Sequence, residues 1–299
     1  MIPCSFQEIL RFEGQVKVTA IRFSPTPRGA GSDRWEFEQG LRDSPENCPE
    51  SLTHAGKDAK VFILGMEPVH SMQKKEKGEL FDEWPQKYDQ WFTTPMGALV
   101  KKHESKLILD LLRPGPGETI LDAGCGTGVF TLDILSFRAH VIGIDISLPM
   151  LMRAAQKAKR HCFQVILADL SRLPFLENSF DKVVSVTALE FIEDGKGAMG
   201  ELFRVTRKGG CIVVATLNSL SPWAFRRKAE AKKGQALFEK AIFRSPDELR
   251  SLAPVESVIR TAIHFQKEED PKKAAEIELE GRRKGWGTGA FVAARWEKP

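Results

Sequence analysis

From residue 79 onward the chain alternates two hydrophobic rhythms. Met96, Leu99, Val100, Leu107, Ile108, Leu111 and Leu112 recur at helical spacing, and Arg113-Pro114-Gly115-Pro116-Gly117 stops that helix. Thr119-Ile120-Leu121-Asp122 reads as a strand that runs through glycines into a helix carrying Phe130, Ile134 and Phe137. Residues 140–144 form a short apolar run ending at Asp145, and Ser147 is placed to cap a helix whose Leu148, Leu151, Met152 and Ala155 share one face. Val165-Ile166-Leu167 ends at Asp169, and residues 182–186 end at Thr187. A helix around Met199, Leu202 and Phe203 stops at Lys208-Gly209-Gly210, and residues 211–216 follow as a strand. Strands that read as unbroken apolar runs between helices predict a parallel sheet covered on both faces. Ligands of such sheets bind at the carboxyl ends of the strands.

Before residue 79 the rhythm is different. Residues 24–58 are rich in Pro, Gly, Ser and charge and show no hydrophobic periodicity, with strand-like patches at 15–23 and 60–64 on either side. The chain is therefore expected to divide into a poorly ordered N-terminal extension, 1–78, to which no function is assigned, and a main domain, 79–299. With 42% hydrophobic residues in 299, that domain can bury a full core. No apolar run approaches the roughly 18 residues of a membrane span, and the N-terminus lacks the pattern of a secretory signal, so a cytoplasmic location is expected. Five scattered cysteines without a C-x-x-C pair read as reduced thiols. The net charge of +4 excludes nothing by itself, but residues 223–250 hold eight basic against four acidic side chains. Such a run is the solvated face of a helix or a surface that attracts an anion.

The strand ends carry the candidate chemistry. Asp122-Ala123-Gly124-Cys125-Gly126-Thr127-Gly128 is a D-x-G-x-G-x-G turn. Three glycines at that spacing arise by chance about 0.15 times in a chain of this composition. Its position between a strand and a helix adds the weight, because glycines there permit a tight turn and close approach of a ligand to the backbone. The G-x-G-x-x-G of dinucleotide sites does not fit: counting from Gly124 or Gly126 places Val129 or Thr131 where the third glycine belongs. No G-x-x-x-x-G-K-[ST] loop is present either. What remains is a nucleoside ligand without a bulky phosphate. Asp145, 23 residues after Asp122, is placed to accept hydrogen bonds from two ribose hydroxyls. Asp169 is placed to accept from an adenine amino group, with Ile146 and Leu170 as apolar walls for the ring.

These motifs resemble the class I S-adenosylmethionine (SAM)-dependent methyltransferases, in particular their small-molecule, ubiquinone- and menaquinone-methyltransferase-like type. The likeness is carried by residues 121–128 and 141–147, by Ala168-Asp169-Leu170, Leu173-Pro174-Phe175 and Phe180-Asp181-Lys182-Val183-Val184, and by Lys208-Gly209-Gly210. It covers roughly residues 79–299. The resemblance implies a Rossmann-like doubly wound α/β sheet of seven strands, mostly parallel with an antiparallel last strand from residues 290–296 and its neighbour from 255–265. It implies SAM as cofactor. The turn of Asp122, Gly124, Cys125, Gly126 and Gly128 would face the methionine part, Asp145 and Ile146 the ribose and adenine, and Asp169 and Leu170 the adenine. Thr187 would lie beside the methionine moiety. Residues 81–92 resemble the family's N-terminal helical lid, in which Tyr88, the chain's single tyrosine, is an aromatic contact for the sulfonium.

Methyl transfer to a small-molecule acceptor is the expected activity. After Thr187 come Ala188, Leu189, Glu190 and Phe191, where many relatives have histidine, so Glu190 is the weak candidate for a base, at a position that otherwise serves as a polar rim. The acceptor is expected to enter over residues 219–243, where Trp223 and Phe225 would line an apolar pocket. No D-P-P-Y or N-P-P-F follows the fourth strand, which argues against a nucleic-acid partner. Strand-end His and carboxylate clusters are lacking, so no metal is expected. A nucleic-acid or protein methyltransferase using the basic run, and a SAM-binding protein without catalysis, are the alternatives. The sequence says nothing of the oligomeric state.

Overall fold

The computed structural model describes residues 7–11, 16–21, 59–64, 80–231 and 236–299. The Pro- and Gly-rich residues 24–58 lie outside the described residues. Among the described residues, ten strands form one sheet. β1 (Gln7–Arg11), β2 (Val16–Ile21) and β3 (Ala59–Leu64) precede the alternating part. Two helices follow, α1 (Pro85–Thr93) and α2 (Pro95–Leu112). Then come β4 (Thr119–Ala123), α3 (Thr131–Leu135), β5 (His140–Asp145), α4 (Leu148–Lys157), β6 (Phe163–Leu167) and β7 (Phe180–Val186). The remainder is α5 (Gly195–Val205), β8 (Thr206–Leu217), α6 (Pro222–Ala231), α7 (Ala236–Glu239), α8 (Pro246–Arg250), β9 (Ser257–Ala262), α9 (Pro271–Lys284) and β10 (Phe291–Glu297).

The strand order is β1-β2-β3-β6-β5-β4-β7-β8-β10-β9. From β6 to β9 this is the expected seven-stranded arrangement, with β10 antiparallel to both β8 and β9. The order reverses at β4, so the loops after β4 and β7 part there and leave a crevice at the carboxyl ends. The N-terminal strands add to the outer edge: β3 runs parallel to β6, with Val61 opposite Val165, and β2 and β1 continue outward.

Alternation along the strands explains the two buried layers. Ile120, Val141, Val184, Val213 and Ala293 face one side, where Leu107, Ile108, Leu111 and Leu112 of α2 and Ile134 of α3 cover them. Leu121, Ile142, Val183, Ile212 and Val292 face the other, against Ala198, Met199 and Leu202 of α5 and Leu249 of α8. Local chemistry sets the element ends. The Thr94 hydroxyl accepts from the Gly97 amide to begin α2, and Arg113 takes a left-handed conformation to end it. Two faces depart from the periodic reading. The helix after the glycine turn is one short segment, so Phe137 lies beyond it and is 42% exposed. In α4 the buried side comprises Met150, Leu151, Ala154 and Ala155 rather than Leu148 and Met152. Among the described residues, no helix is long and apolar enough to cross a membrane.

Candidate active site

β4, β5, β6 and β7 end side by side, and the segments that follow them enclose a cavity of about 540 Å³ together with α1 and α6. Tyr88, Asp122, Gly124, Cys125, Gly126, Asp145, Ile146, Asp169, Leu170, Thr187 and Glu190 all line it. Gly128 is not among its walls: an added Cβ there would come 3.2 Å from the Ala154 Cβ, so this glycine lets the turn pack on α4.

The glycine turn is built by short backbone contacts. The amides of Gly124 and Cys125 both donate to the Ile144 carbonyl at 2.8 Å, which folds the turn back onto β5. Gly124 has φ +82°, and a Cβ on it would sit 2.3 Å from the Ala188 Cβ after β7. Only a residue without a side chain fits where the two strand-end segments meet. The Gly126 amide donates to Asp145 Oδ2 at 2.8 Å and the Ser147 amide to Oδ1 at 2.9 Å, so both carboxylate oxygens are anchored on their protein side. Burial raises the Asp145 carboxyl, and amides of Ser147, Gly126 and Ile146 oppose that rise. Asp122 is pushed up to about 7 by burial despite accepting from the Thr131 hydroxyl at 2.6 Å. Asp169 accepts from the Ser171 amide at 2.8 Å, a local turn at the end of β6. Thr187, a β-branched residue, sits at φ +49° with its amide bound to the Ala215 carbonyl at 2.9 Å. A left-handed β-branched residue is strained backbone of the kind that clusters at functional sites.

The aromatic helix α1 is tied down over this turn. Asp89 accepts from the Thr127 hydroxyl at 2.6 Å, Arg153 Nε at 2.6 Å and Lys157 Nζ at 2.9 Å. Burial works against its ionisation, but these three donors together hold its carboxyl below the usual range. Just ahead of α1, Asp82 accepts from the Ser147 hydroxyl at 2.6 Å. Tyr88 is thereby held against the cavity, edge-on to Phe92 with ring centres 5.2 Å apart. Burial, reinforced by the nearby Glu104, lifts its hydroxyl far above the ordinary tyrosine range, so it stays a neutral hydroxyl beside Thr187.

The far end of the cavity holds charge that the sequence did not announce. Glu104 of α2 lies among Val100, Leu107 and Ile108 on the buried face of the helix, and burial pushes its carboxyl up to about 8. Glu190 is fully buried rather than on a rim. Its Oε1 accepts from the Leu217 amide at 2.8 Å, whereas Oε2 has no partner within hydrogen-bonding geometry. The Thr216 hydroxyl, also without a partner, is close enough to favour the charged form but not to bond. Arg227 of α6 faces both carboxyls, and its Nη1 is buried without a partner. Trp223 lines the cavity as expected, its Nε1 donating to the Phe265 carbonyl at 2.8 Å. Phe225 does not: it is 67% exposed, because on α6 it points away from Trp223. Nor is the basic run a uniform surface. Arg244 is buried and donates to the Leu189 and Ile192 carbonyls at 2.8 and 3.2 Å, bracing the segment that carries Glu190. The sequence reading missed Asp82, Asp89, Glu104 and Arg227. For Glu104 the available cue was a charged residue inside the apolar stripe of α2.

A family model described as a methyltransferase domain matches residues 121–214. An uncharacterized protein of Methanocaldococcus jannaschii is 30% identical over 222 residues, 73% of this chain and 98% of the relative. This chain belongs to the SAM-dependent methyltransferases. Demethylmenaquinone methyltransferases of Beutenbergia cavernae and Renibacterium salmoninarum are 34% and 32% identical over 48% and 50% of this chain. The match spans about three-fifths of those relatives' own length, 59% and 62%. A Thermotoga maritima SAM-dependent methyltransferase, described as a possible histamine N-methyltransferase, shares the fold. Its TM-score is 0.60 with 24% identity, covering 75% of this chain and all of that one. In this methyltransferase the three β4–β6 termini and the family's glycine turn therefore bound one and the same cavity.

Away from the cavity, the methyltransferase's His264 and His103 are structural. The His264 ring and amide lie 3.0 and 2.9 Å from Glu278 Oε2, Arg282 Nε donates to Oε1 at 2.7 Å, and the carboxylate is nearly fully enclosed. Burial alone would raise Glu278, yet these partners outweigh it and its carboxyl lies at about 2.

Proposed function

We propose that this protein binds SAM at the carboxyl ends of β4–β7 and transfers its methyl group to a small-molecule acceptor. The acceptor would enter between α1 and α6. The observation that carries this reading is Asp145: a half-buried carboxylate whose protein-facing lone pairs are taken by two backbone amides while its body lines the cavity, an arrangement suited to a vicinal diol. Gly126 supports it, because a Cβ there would meet no protein atom within 4 Å, leaving room for a ligand at the backbone.

In this reading Gly124 and Gly126 bring the backbone up to the methionine portion, and Asp169 accepts from the adenine amino group. Ile146 and Leu170 flank the ring. Tyr88 and Thr187 sit beside the sulfonium. When bound, SAM supplies an electrophilic methyl on a positively charged sulfur. The residues' task is alignment: α1 and the strained Thr187 would position the acceptor atom against the methyl and keep water out. Glu190, with its free Oε2, is the candidate to take a proton from an acceptor that must lose one. Relatives whose names specify demethylmenaquinone and malonyl-[acyl-carrier protein] support an acceptor other than nucleic acid.

The test is calorimetric titration of SAM and S-adenosylhomocysteine (SAH) into wild-type protein and Asp145→Ala. Loss of hydrogen bonds to a charged acceptor is worth about 1.5–3 kcal/mol, so binding should weaken roughly 10- to 150-fold in the variant. Absence of binding by folded wild type refutes the assignment.

A further inference from the structure

Arg227 of α6 is a half-buried arginine in the wall of the cavity. Among the described residues, none forms a hydrogen bond or an ion pair with its guanidinium, and Nη1 is enclosed without a partner. Stacking holds the group instead: it lies 5.3 and 5.7 Å from the ring centres of Trp223 and Phe238. The neighbouring Arg226 is placed differently, with its Nη1 donating to Glu268 at 2.8 Å.

Three carboxyls face Arg227, and each is otherwise engaged or neutral. Burial pushes Glu104 up to about 8, so near neutral pH it stands beside the guanidinium as an uncharged carboxyl. Glu190 is opposed by Arg244, accepts from the Leu217 amide at 2.8 Å and has the Thr216 hydroxyl alongside. Glu230 lies 4.0 Å from Arg226. A guanidinium drawn out of water with none of its N–H groups bonded is unfavourable unless a ligand supplies the acceptors. Two further cations line the cavity from exposed positions: Lys87 and Lys267, 5.7 and 5.5 Å from the ring centres of Trp84 and Trp91. Their positive charge at the rim draws an anion inward.

We infer that the acceptor of this methyltransferase carries a carboxylate on an apolar body, the carboxylate held by Arg227 and Glu104 and the body by Tyr88, Trp91, Phe92 and Trp223. This rests on the reading of the strand-end cavity as the SAM site. A guanidinium offers paired N–H donors whose spacing matches the two oxygens of a carboxylate. The neutral Glu104 carboxyl has an O–H to give to the same group and, being uncharged, does not repel it. The aromatic walls exclude water and so strengthen the ion pair. An amine entering here would meet Lys87, Arg227 and Lys267 as like charges. A phosphate ester, with up to two negative charges, calls for more enclosed cations than this end of the cavity provides. Arg227 and Glu104 are binding groups that select the acceptor.

The experiment uses full-length protein saturated with SAH, so that acceptor-site binding is read separately from the cofactor. Calorimetry compares 3-phenylpropanoate, indole-3-acetate and octanoate with the primary amide of each, which has the same shape and no charge. At least one acid should bind roughly tenfold or more tighter than its amide, the scale of a desolvated charged hydrogen bond. In Arg227→Met, which keeps an apolar stem over Trp223, that preference should fall to about threefold or less, with SAH affinity and circular dichroism unchanged. Arg227→Lys, a milder change that keeps the charge but not the paired donors, should reduce it at least threefold, so a misfolded methionine variant leaves the test intact. Arg226→Met removes the neighbouring cation and Glu104→Gln keeps a neutral donor; both should retain the preference within about threefold of wild type. If no acid outbinds its amide, if the preference survives both Arg227 substitutions, or if Arg226→Met or Glu104→Gln abolishes it, the inference is overturned. Tighter binding of 2-phenylethylamine or phenyl phosphate than of every acid overturns it as well, assigning the chamber to a cation or a phosphate ester. SAH binding by wild type in the same titrations shows that such a failure belongs to the acceptor inference and not to the SAM site.

Discussion

Replacing Asp89 by alanine removes the main tether between the aromatic helix α1 and the glycine turn. Its carboxylate takes three donors: the Thr127 hydroxyl at 2.6 Å, Arg153 Nε at 2.6 Å and Lys157 Nζ at 2.9 Å. They are not equal. Arg153 and Lys157 are 36% and 25% exposed, so water recovers much of what they lose, and each is worth at most about 1 kcal/mol. Thr127 is fully buried, and its bond to a charged acceptor is worth about 1.5–3 kcal/mol. Because Lys157 also donates to the Thr127 oxygen at 3.1 Å, that hydroxyl keeps one partner and the lower part of the range applies. The docking of α1 should weaken by about 2–3 kcal/mol in total. The Asp82–Ser147 bond remains, so the helix is loosened rather than released. Since α1 supplies Tyr88 and Trp91 to the cavity wall, SAH should bind roughly tenfold more weakly by calorimetry. Limited proteolysis within residues 80–94 should accelerate, with little change in the melting temperature of the core. Affinity within twofold of wild type, together with unchanged proteolysis, would refute the tether. The pH dependence has a defined sign. The folded carboxyl is held below its usual range, so its contribution is complete at neutral pH and is lost only as pH falls through that depressed value.

Two further substitutions probe the scaffold. Gly124→Ala places a Cβ 2.3 Å from the Ala188 Cβ at φ +82°; it should cost about 2–4 kcal/mol in thermal or urea unfolding and abolish SAH binding, and an unshifted transition would contradict the close approach described here. Glu278→Gln tests the buried network of His264 and Arg282. With the carboxyl at about 2 rather than 4.5, wild type should carry about 3 kcal/mol of stability above pH 4.5 that disappears as pH falls toward 2, whereas the variant should be less stable at neutral pH and lack that acid slope.

What could be read without the structure was whatever depends on neighbours in sequence. An unbroken apolar run that stops at a carboxylate, followed by a turn, is specified within about ten residues. That is why Asp122, Asp145 and Asp169 could be placed at strand ends and why the seven-strand order followed from resemblance. Turn chemistry was local enough to find Gly124 and Gly126 but not to separate them from Gly128, whose neighbour Ala154 lies 26 positions away.

The tertiary structure decided which side chains share an enclosure. Glu104 and Glu190 line one cavity although 86 positions separate them in sequence. Arg227 lines the cavity, whereas Phe225, two positions earlier on α6, is exposed to solvent. A charge run in sequence cannot show that one of its arginines faces buried carboxyls and another, Arg244, braces backbone carbonyls. Nor could periodicity show that β3 would pair with β6 and extend the sheet by three strands. The sequence by itself determined the sheet, its direction and the polar ends of its strands, because these follow from spacing along one chain segment. The far end of the cavity was decided by packing between distant segments, where burial changes what a charge costs.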